Sequence, residues 1–341
     1  MSRPRSPIRL ARVPWRGASQ AAAAEGPPSV ADVVRLIYPP EVAAAVLAQL
    51  GNDRPLSGLS ELRRLMAPFD RQTFPTAVRV NFGGDDVVEC EVDGVRLALD
   101  TADTSVSRTL IDTLTYEAHV TAVFRRYLRP GMTVVDVGAN VGYFSALAAQ
   151  LVGPEGHVLA LEPNSENCRL ILLTALANHA DNIDVLPLAA SDRRGWNYFS
   201  AHVGSNGGFI ASARGDLLDG RGTVVASFPL DDLVEGPVHF IKLDVEGAEG
   251  LVLAGAKRLL ERDRPIVVSE LSIEMLERVS GTTVKDYVGA FVELGYRCHV
   301  LHPESEEVTE VTDVARYLDE WTDIFRLEEL LFLPPPGTPN G

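Results

Sequence analysis

The sequence predicts an α/β protein on a doubly wound, mostly parallel sheet of seven strands with an antiparallel edge strand, plus a smaller N-terminal α+β segment. Three observations carry this. From Thr133 onward, short and nearly continuous apolar runs alternate with helical patterns, the mark of a parallel sheet covered on both faces. A glycine turn, "GANVG", joins the first such run to the first helix. Polar or small residues end each run, and ligands of open α/β sheets gather at the carboxyl ends of the strands.

With 341 residues and 46% hydrophobic content, the chain suffices for one large domain and an N-terminal addition. No apolar run reaches the roughly 18–20 residues that cross a bilayer, so a soluble protein without a membrane partner is expected. The net charge of −16 argues against nucleic acid as a partner. Late acids such as "HPESEEVTEVTD" read as a solvated face. Cys90, Cys168 and Cys298 are far apart and form no CxxC, which suggests neither a disulfide framework nor a zinc knuckle, and a cytoplasmic location.

Residues 1–28 begin "MSRPRSPIRLARVPWRG", with arginines, no acid and no apolar h-region. A disordered tail is expected there; a transit peptide can share this composition. The segment 29–104 follows. "VADVVRLIY", "PEVAAAVLAQL" and "LSELRRLM" have helical spacing, and "TAVRVNF" and "VVECEVDGVRLALD" read as strands with a type I′ turn at Asp93-Gly94. "SRTLIDTLTYEAHVTAVFRRYL" reads as one long amphipathic helix. The main domain, 105–333, continues with "TVVDVG", "HVLALEP", "IDVLPLAAS", "VHFIKLDVEG", "PIVVSELS", "RCHVLH" and "LEELLFLPP" as strands. "YFSALAAQLV", "SENCRLILLTALANH", "EGLVLAGAKRLLER" and "VKDYVGAFVELG" are its helices. Residues 334–341, "PPPGTPNG", read as a flexible tail.

The strand ends narrow the ligand. The first carries Asp136, Gly138, Asn140, Gly142 and Tyr143. In a dinucleotide fingerprint the middle position is glycine, so that backbone can approach a pyrophosphate. Asn140 occupies that position and Tyr143 the third, which suits a ligand without a diphosphate, and no P-loop motif is present. Glu162 ends the second strand about twenty residues past Gly142, where an acid takes ribose hydroxyls. Asn164 is placed to cap the next helix, to touch the ligand, or both. Ala190 and Ser191 end the third strand and leave room for an adenine ring, with Ser191 or Asp192 near its amine. A nucleoside with free ribose hydroxyls and no diphosphate points to S-adenosylmethionine, with Asp136 beneath the turn that meets its aminoacyl end.

Lys242, Asp244 and Glu246 alternate along "FIKLDVEG", and Glu270 ends "IVVSE". Charges in a doubly covered strand require partners. One reading is an ion-pair network holding the strand end. The other is a reacting centre: Asp244 and Glu270 as oxygen ligands of a divalent metal such as Mg²⁺, or Asp244 as the base on an acceptor hydroxyl with Lys242, Glu246 and Glu270 completing the site. His299 and His302 stand near a strand end as further candidate bases.

At "LRPGMTVVDVGANVGYFSALAA", "VLALEPNSENCRLI", "LPLAASDRRG", "IKLDVEGAEGLVLAGAKRLL" and "PIVVSEL" the chain resembles the FkbM family of S-adenosylmethionine-dependent methyltransferases, over roughly residues 105–333. The resemblance implies a class I, Rossmann-like fold and mostly O-methylation. It also implies cofactor contacts at Asp136, Gly138, Asn140, Gly142, Glu162, Ala190 and Ser191; Glu117 in "TYEAHV" fits the family as well. The expected acceptor is a hydroxyl on a small molecule or glycoside, such as a macrolide, peptide or sugar of secondary metabolism, recognised by residues 29–104. A homo-oligomer is compatible with this reading. N-methyl transfer and nicotinamide-dependent oxidoreduction are the rival readings. Thermal shift separates the last: S-adenosylhomocysteine is expected to raise Tm and NADH to leave it unchanged, and the opposite pattern reverses the assignment.

Overall fold

The computed structural model describes residues 80–82, 85–103, 105–203, 206–209, 222–323, 326–338 and 340. The tail expected over 1–28 and the helical patterns of 29–79 lie outside the described residues.

Strands β1 (Val80–Phe82), β2 (Asp85–Val92) and β3 (Val95–Asp100) form an antiparallel meander. Its β2–β3 turn has positive φ at both Asp93 (53°) and Gly94 (82°), as a type I′ turn requires. Helices α1 (Val106–Thr113) and α2 (Ala118–Tyr127) follow. The single long helix expected here is broken. Leu114 is left-handed and closes α1, and Glu117 at φ 38° opens α2. Thr113 and Thr121 on either side of the break favour it, because their hydroxyls satisfy backbone carbonyls locally.

The main domain runs β4 (Thr133–Val137), α3 (Tyr143–Val152), β5 (His157–Leu161), α4 (Ser165–Ala177) and β6 (Ile183–Leu186). Pro187 ends β6, and the chain crosses to a second sheet of β7 (Ala189–Ala190), β8 (Gly195–Val203), β9 (Asn206–Phe209) and β10 (Gly222–Phe228), ordered β7-β10-β8-β9. "IDVLPLAAS" is therefore two strands in two sheets, and the second sheet was not anticipated. Helix α5 (Leu230–Leu233) and β11 (Phe240–Leu243) lead to α6 (Glu249–Ala254) and α7 (Lys257–Asp263). These two divide the one helix expected, at Gly255, where a Cβ would fall 2.0 Å from the carbonyl oxygen of Ser191. The chain ends with β12 (Ile266–Ser272), α8 (Ile273–Ser280), α9 (Val284–Glu293), β13 (Arg297–Leu301), β14 (Val308–Glu310), α10 (Val314–Asp319) and β15 (Leu327–Leu333).

The main sheet has the order β14-β13-β15-β12-β11-β4-β5-β6. It is the doubly wound, mostly parallel, Rossmann-like sheet that the sequence implies, with one strand more. The late strand β15 lies inside, antiparallel to both β12 and β13, and the short β14 forms the edge. Strand alternation divides the core. Val134, Phe240, Val268 and Leu331 face α2, α3 and the hairpin; Val135, Ile241, Val267 and Phe332 face α6 to α9. Strand β3 does not expose its outer edge, since Ala98 N–H donates to Thr174 Oγ1 (2.9 Å) and Arg96 N–H to Asn178 Oδ1 (3.0 Å) beside α4. The C-terminal residues read as a flexible tail are tied back, with Asn340 Nδ2 donating to the carbonyls of Val238 and Asp263. No helix among the described residues is long and apolar enough to cross a membrane.

The turn after β4 touches the turn after β11. A Cβ on Gly138, at φ 84°, would lie 1.8 Å from the carbonyl oxygen of Asp244. Gly138→Ala is expected to destabilise by at least about 2 kcal/mol in urea denaturation. Gly289→Ala, inside α9 with open space around it, is expected to stabilise by about 0.5–1 kcal/mol.

Candidate functional site

The carboxyl ends of β5, β4, β11 and β12 open into one cleft. Its volume is about 110 Å³, and about 780 Å³ when all the empty space, including that open to solvent, is counted. One half is apolar: Leu161, Pro163, Leu188, Ala189, Ala190 and Phe199 line a slot suited to a flat ring. The other half is acidic, with Glu117, Asp244, Glu246 and Glu270 in its wall.

Between the halves stands Glu162, almost fully buried. Its Oε2 accepts the N–H of Asn140 and its Oε1 the N–H of Asn164, each at 2.8 Å. A carboxylate offers about four acceptor sites, and with the Asn167 side chain as a third donor a site remains for a ligand hydroxyl. Burial pushes its pKa up to about 8, against the pull of those N–H groups. Asn140 is left-handed (φ 51°), a conformation that asparagine tolerates. Asp136 lies under the turn, and its Oδ2 accepts from Ser145 Oγ at 2.6 Å while the buried Oδ1 has no partner.

The acidic half follows from register. Asp136 and Lys242 are partners across β4 and β11 and share a face. Two residues on, the same face carries Gly138, Asp244 and Glu270, and Glu270 is paired with Glu329 on β15. Glu117, at the broken start of α2, covers this row. Lys242, nearly fully buried, bonds Asp244 Oδ2 at 2.8 Å and lies 4.8 Å from the centre of the Phe144 ring. Burial alone would lower its pKa, but Asp244, Glu117 and Asp136 raise it, so it stays protonated. Burial pushes Glu270 up to about 10, reinforced by Asp244 and Glu117. It pushes Glu117 to about 7, opposed by Lys242 and aided by Asp244 and Glu329. Burial, then Asp244, also raises Glu246. At neutral pH Glu270 is a hydrogen-bond donor and Glu117 is poised between its two forms.

Of the residues singled out from the sequence, Glu117, Gly138, Asn140, Glu162, Ala190, Asp244, Glu246 and Glu270 line the cleft. Lys242 and Asp136 stand immediately behind it. Glu246 leaves the strand face and sits in a turn at φ 52°. Tyr143 points elsewhere: its hydroxyl meets Asp93 Oδ2 (2.7 Å) and Thr121 Oγ1 (3.0 Å), tying α3 to the hairpin turn. Asn164 caps α4 through Glu166 N–H (3.0 Å), and Gly142 packs on Ile171. Ser191 Oγ bonds its neighbour Asp192 (3.2 Å), so the loop holds itself. His299 is buried 4.0 Å from Glu310, and His302 bonds Thr309; neither lines the cleft. Among the described residues no group of three or more His, Cys, Asp or Glu side chains is arranged to hold a metal ion. Tyr116, Phe199, His119 and Glu329 were missed. Glu329 left a signal, an acid in the apolar run "LEELLFL"; Phe199 left none.

The sequence model of one protein family, described as Methyltransferase FkbM domain, matches residues 136–322, more than half of the chain. Protein-L-isoaspartate O-methyltransferase 1 of Arabidopsis thaliana is 30% identical over 111 residues, covering 30% of this chain and 48% of that protein. Arsenite methyltransferase of Halobacterium salinarum is 37% identical over 57 residues, 17% of this chain and 15% of that one. The chain thus spans less than half the length of these curated relatives. The solved structure of methyltransferase FkbM from Methylobacillus flagellatus is 19% identical with a TM-score of 0.39, covering 68% of this chain and 55% of that chain.

The raised acids fix the sign of a pH effect. A carboxyl whose folded pKa exceeds its unfolded value stabilises fully below the unfolded value, and loses that contribution as pH rises through the folded one. Glu117, Glu162 and Glu270 span about 7 to about 10. The ligand-free Tm is therefore expected to fall between pH 5 and 9. Glu270→Gln, which mimics the neutral form, is expected to raise Tm at pH 9 and flatten the profile. A Tm that climbs over this range contradicts the description of the acids.

Proposed function

The chain belongs to the FkbM methyltransferase family, and from that premise we propose that it transfers a methyl group from S-adenosylmethionine to a hydroxyl oxygen of a small molecule or glycoside. The observation that carries the reading is the cleft's acid-rich half, which contains no arginine or lysine among its described lining residues. A wall of that kind repels phosphates and favours a cation. S-adenosylmethionine, when bound, supplies an activated methyl on a sulfonium sulfur and brings an ammonium group with it.

Glu162 would hold the ribose hydroxyls, the slot between Leu188 and Phe199 the adenine, and the turn of Gly138 and Asn140 the aminoacyl end. Asp136, with an unsatisfied oxygen below that turn, steadies it. O-methyl transfer is supported by relatives whose names state it. Asp244 is the base in this proposal: Lys242 fixes its orientation, and its carboxylate takes the hydroxyl proton as the acceptor oxygen is methylated. Glu270, whose pKa burial raises to about 10, is unsuited to accept a proton there. Holding acceptor and donor in line is worth roughly 7–11 kcal/mol, and the base about 10²–10⁴-fold.

Asp244→Asn is expected to lower kcat by about 10²–10⁴-fold while S-adenosylhomocysteine affinity changes little. Glu162→Gln should show the reverse pattern, weaker cofactor binding with kcat at saturation largely kept. Full turnover by Asp244→Asn removes the base assignment. Failure of the native protein to bind S-adenosylhomocysteine removes the whole reading.

A further inference from the structure

Two carboxyl groups in the cleft wall have no partner in the fold. Glu162 accepts two backbone N–H groups, Asp244 bonds Lys242, and Glu117 bonds the hydroxyl of Tyr116. The side chains of Glu246 and Glu270 make no hydrogen bond or ion pair with any described residue, although both are half-buried and line the same cleft as Asp244. Withdrawing a polar group from water without giving it a partner is costly. Both groups are therefore free to bond a molecule that enters the cleft.

The turn that carries Glu246 is fixed from beneath. Glu249, buried at the start of α6, accepts the N–H groups of Val245 (3.1 Å) and Gly247 (3.3 Å) through Oε1. Ala248 N–H closes the turn on the carbonyl of Val245 at 3.2 Å. Gly247 presses on α8, where a Cβ would fall 2.3 Å from the carbonyl oxygen of Met275. With its neighbours held, Glu246 keeps its positive φ of 52°. It follows Asp244 by two residues, so their Cα atoms are at most about 7 Å apart, and the charge of Asp244 acts on it. Glu270 stands beside Asp244 at the end of the adjacent parallel strand, roughly 4.8 Å away along the sheet. One small molecule in this cleft can meet all three side chains.

We propose that Glu246 selects methyl acceptors with a second hydroxyl on the carbon next to the reacting one, the vicinal diol of a sugar or other polyol. The proposal rests on the methyltransferase reading of the same cleft. The reacting hydroxyl faces Asp244, and its neighbour donates to the Glu246 carboxylate. Glu270 decides between a hydroxyl and an ammonium as that neighbour. Burial, then Asp244, raises its pKa to about 10, so it keeps its proton at neutral pH and offers a donor near the acceptor of Glu246. A hydroxyl both accepts and donates, whereas an ammonium only donates. A second hydroxyl therefore answers both unpartnered groups, and an ammonium would leave the Glu270 O–H unanswered.

The test uses the full chain saturated with S-adenosylhomocysteine and three probes on one carbon skeleton, cis-1,2-cyclohexanediol, cyclohexanol and 2-aminocyclohexanol, measured by saturation-transfer NMR. The diol is expected to bind about tenfold more tightly than cyclohexanol, a difference of roughly 1.4 kcal/mol, and more tightly than the amino alcohol. Glu246→Gly is expected to abolish the preference and leave S-adenosylhomocysteine affinity unchanged. The same variant relieves the positive φ, so it is expected to raise Tm by about 2 °C or more, which separates lost recognition from a folding defect. Glu246→Gln, which keeps one acceptor oxygen, is expected to retain part of the preference. Equal binding of the three probes, tighter binding of the amino alcohol, no binding of any at millimolar concentration, or a preference that survives Glu246→Gly overturns the proposal and leaves the cofactor reading intact. Absence of S-adenosylhomocysteine binding by the native chain overturns both.

Discussion

The Lys242 ammonium, 2.8 Å from Asp244 and flanked in register by Asp136, is the charge around which this edge of the sheet is organised. Glu117, Asp136, Asp244, Glu246, Glu270 and Glu329 crowd the same edge, and Coulomb repulsion among like charges in a partly dry site is severe. One buried cation cannot neutralise all of them. The remainder is relieved by protonation, most of all at Glu270. Lys242 is itself kept charged by these acids and lies close to the Phe144 ring. The arrangement is mutual: burial alone would lower the lysine's pKa, the acids raise it, and Lys242 in turn pulls down those of Glu117 and Glu270.

Sheet order converts that local chemistry into a site. Strands β4 and β5 bring the turn and Glu162, β11 brings Lys242 and Asp244, and β12 brings Glu270. Inserting β15 between β12 and β13 then places Glu329 next in the row. Had β15 formed the outer edge, the acid row would have ended at Glu270. The antiparallel direction matters as much as the position. It brings the beginning of β15, and not its end, to the carboxyl edge of its neighbours.

The alternation of apolar runs and helices made the main sheet legible, since a strand buried on both faces has few other ways to be composed. Much of the cleft lining was legible for the same reason, because polar or small residues that interrupt apolar strands stand out, and Gly138, Asn140, Glu162, Asp244 and Glu270 all line it. What escaped depended on contacts remote in sequence. The break before Glu117 is a tertiary event: the pattern over 107–128 is helical throughout, but Tyr116 and Glu117 are drawn to the cleft. The second sheet brings Phe199 into the slot by long-range pairing of β8 with β10. Tyr143 was read as a ligand contact by proximity to the motif, but its hydroxyl meets Asp93 and Thr121. Asn164 was read as a helix cap, a ligand contact or both, and the structure shows the cap.

Backbone strain is concentrated at the same edge. Glu117, Asn140 and Glu246 are three of the non-glycine residues with positive φ, and all three line the cleft. Asparagine accepts that conformation readily, but a glutamate does not, and each such residue costs on the order of 1–3 kcal/mol. Nothing about chain reversal requires it, since a glycine would turn the chain with less strain, as Gly138 and Gly247 do beside them. A glutamate in a glycine's conformation is tolerated only where its side chain must point in one direction. Both glutamates lie near enough to Asp244 and Lys242 for the charges to influence one another. The strain and the like-charge repulsion therefore have a common cause. Stability is given up at this edge to aim carboxylates into a cleft, which an ion-pair network serving only the fold would not require.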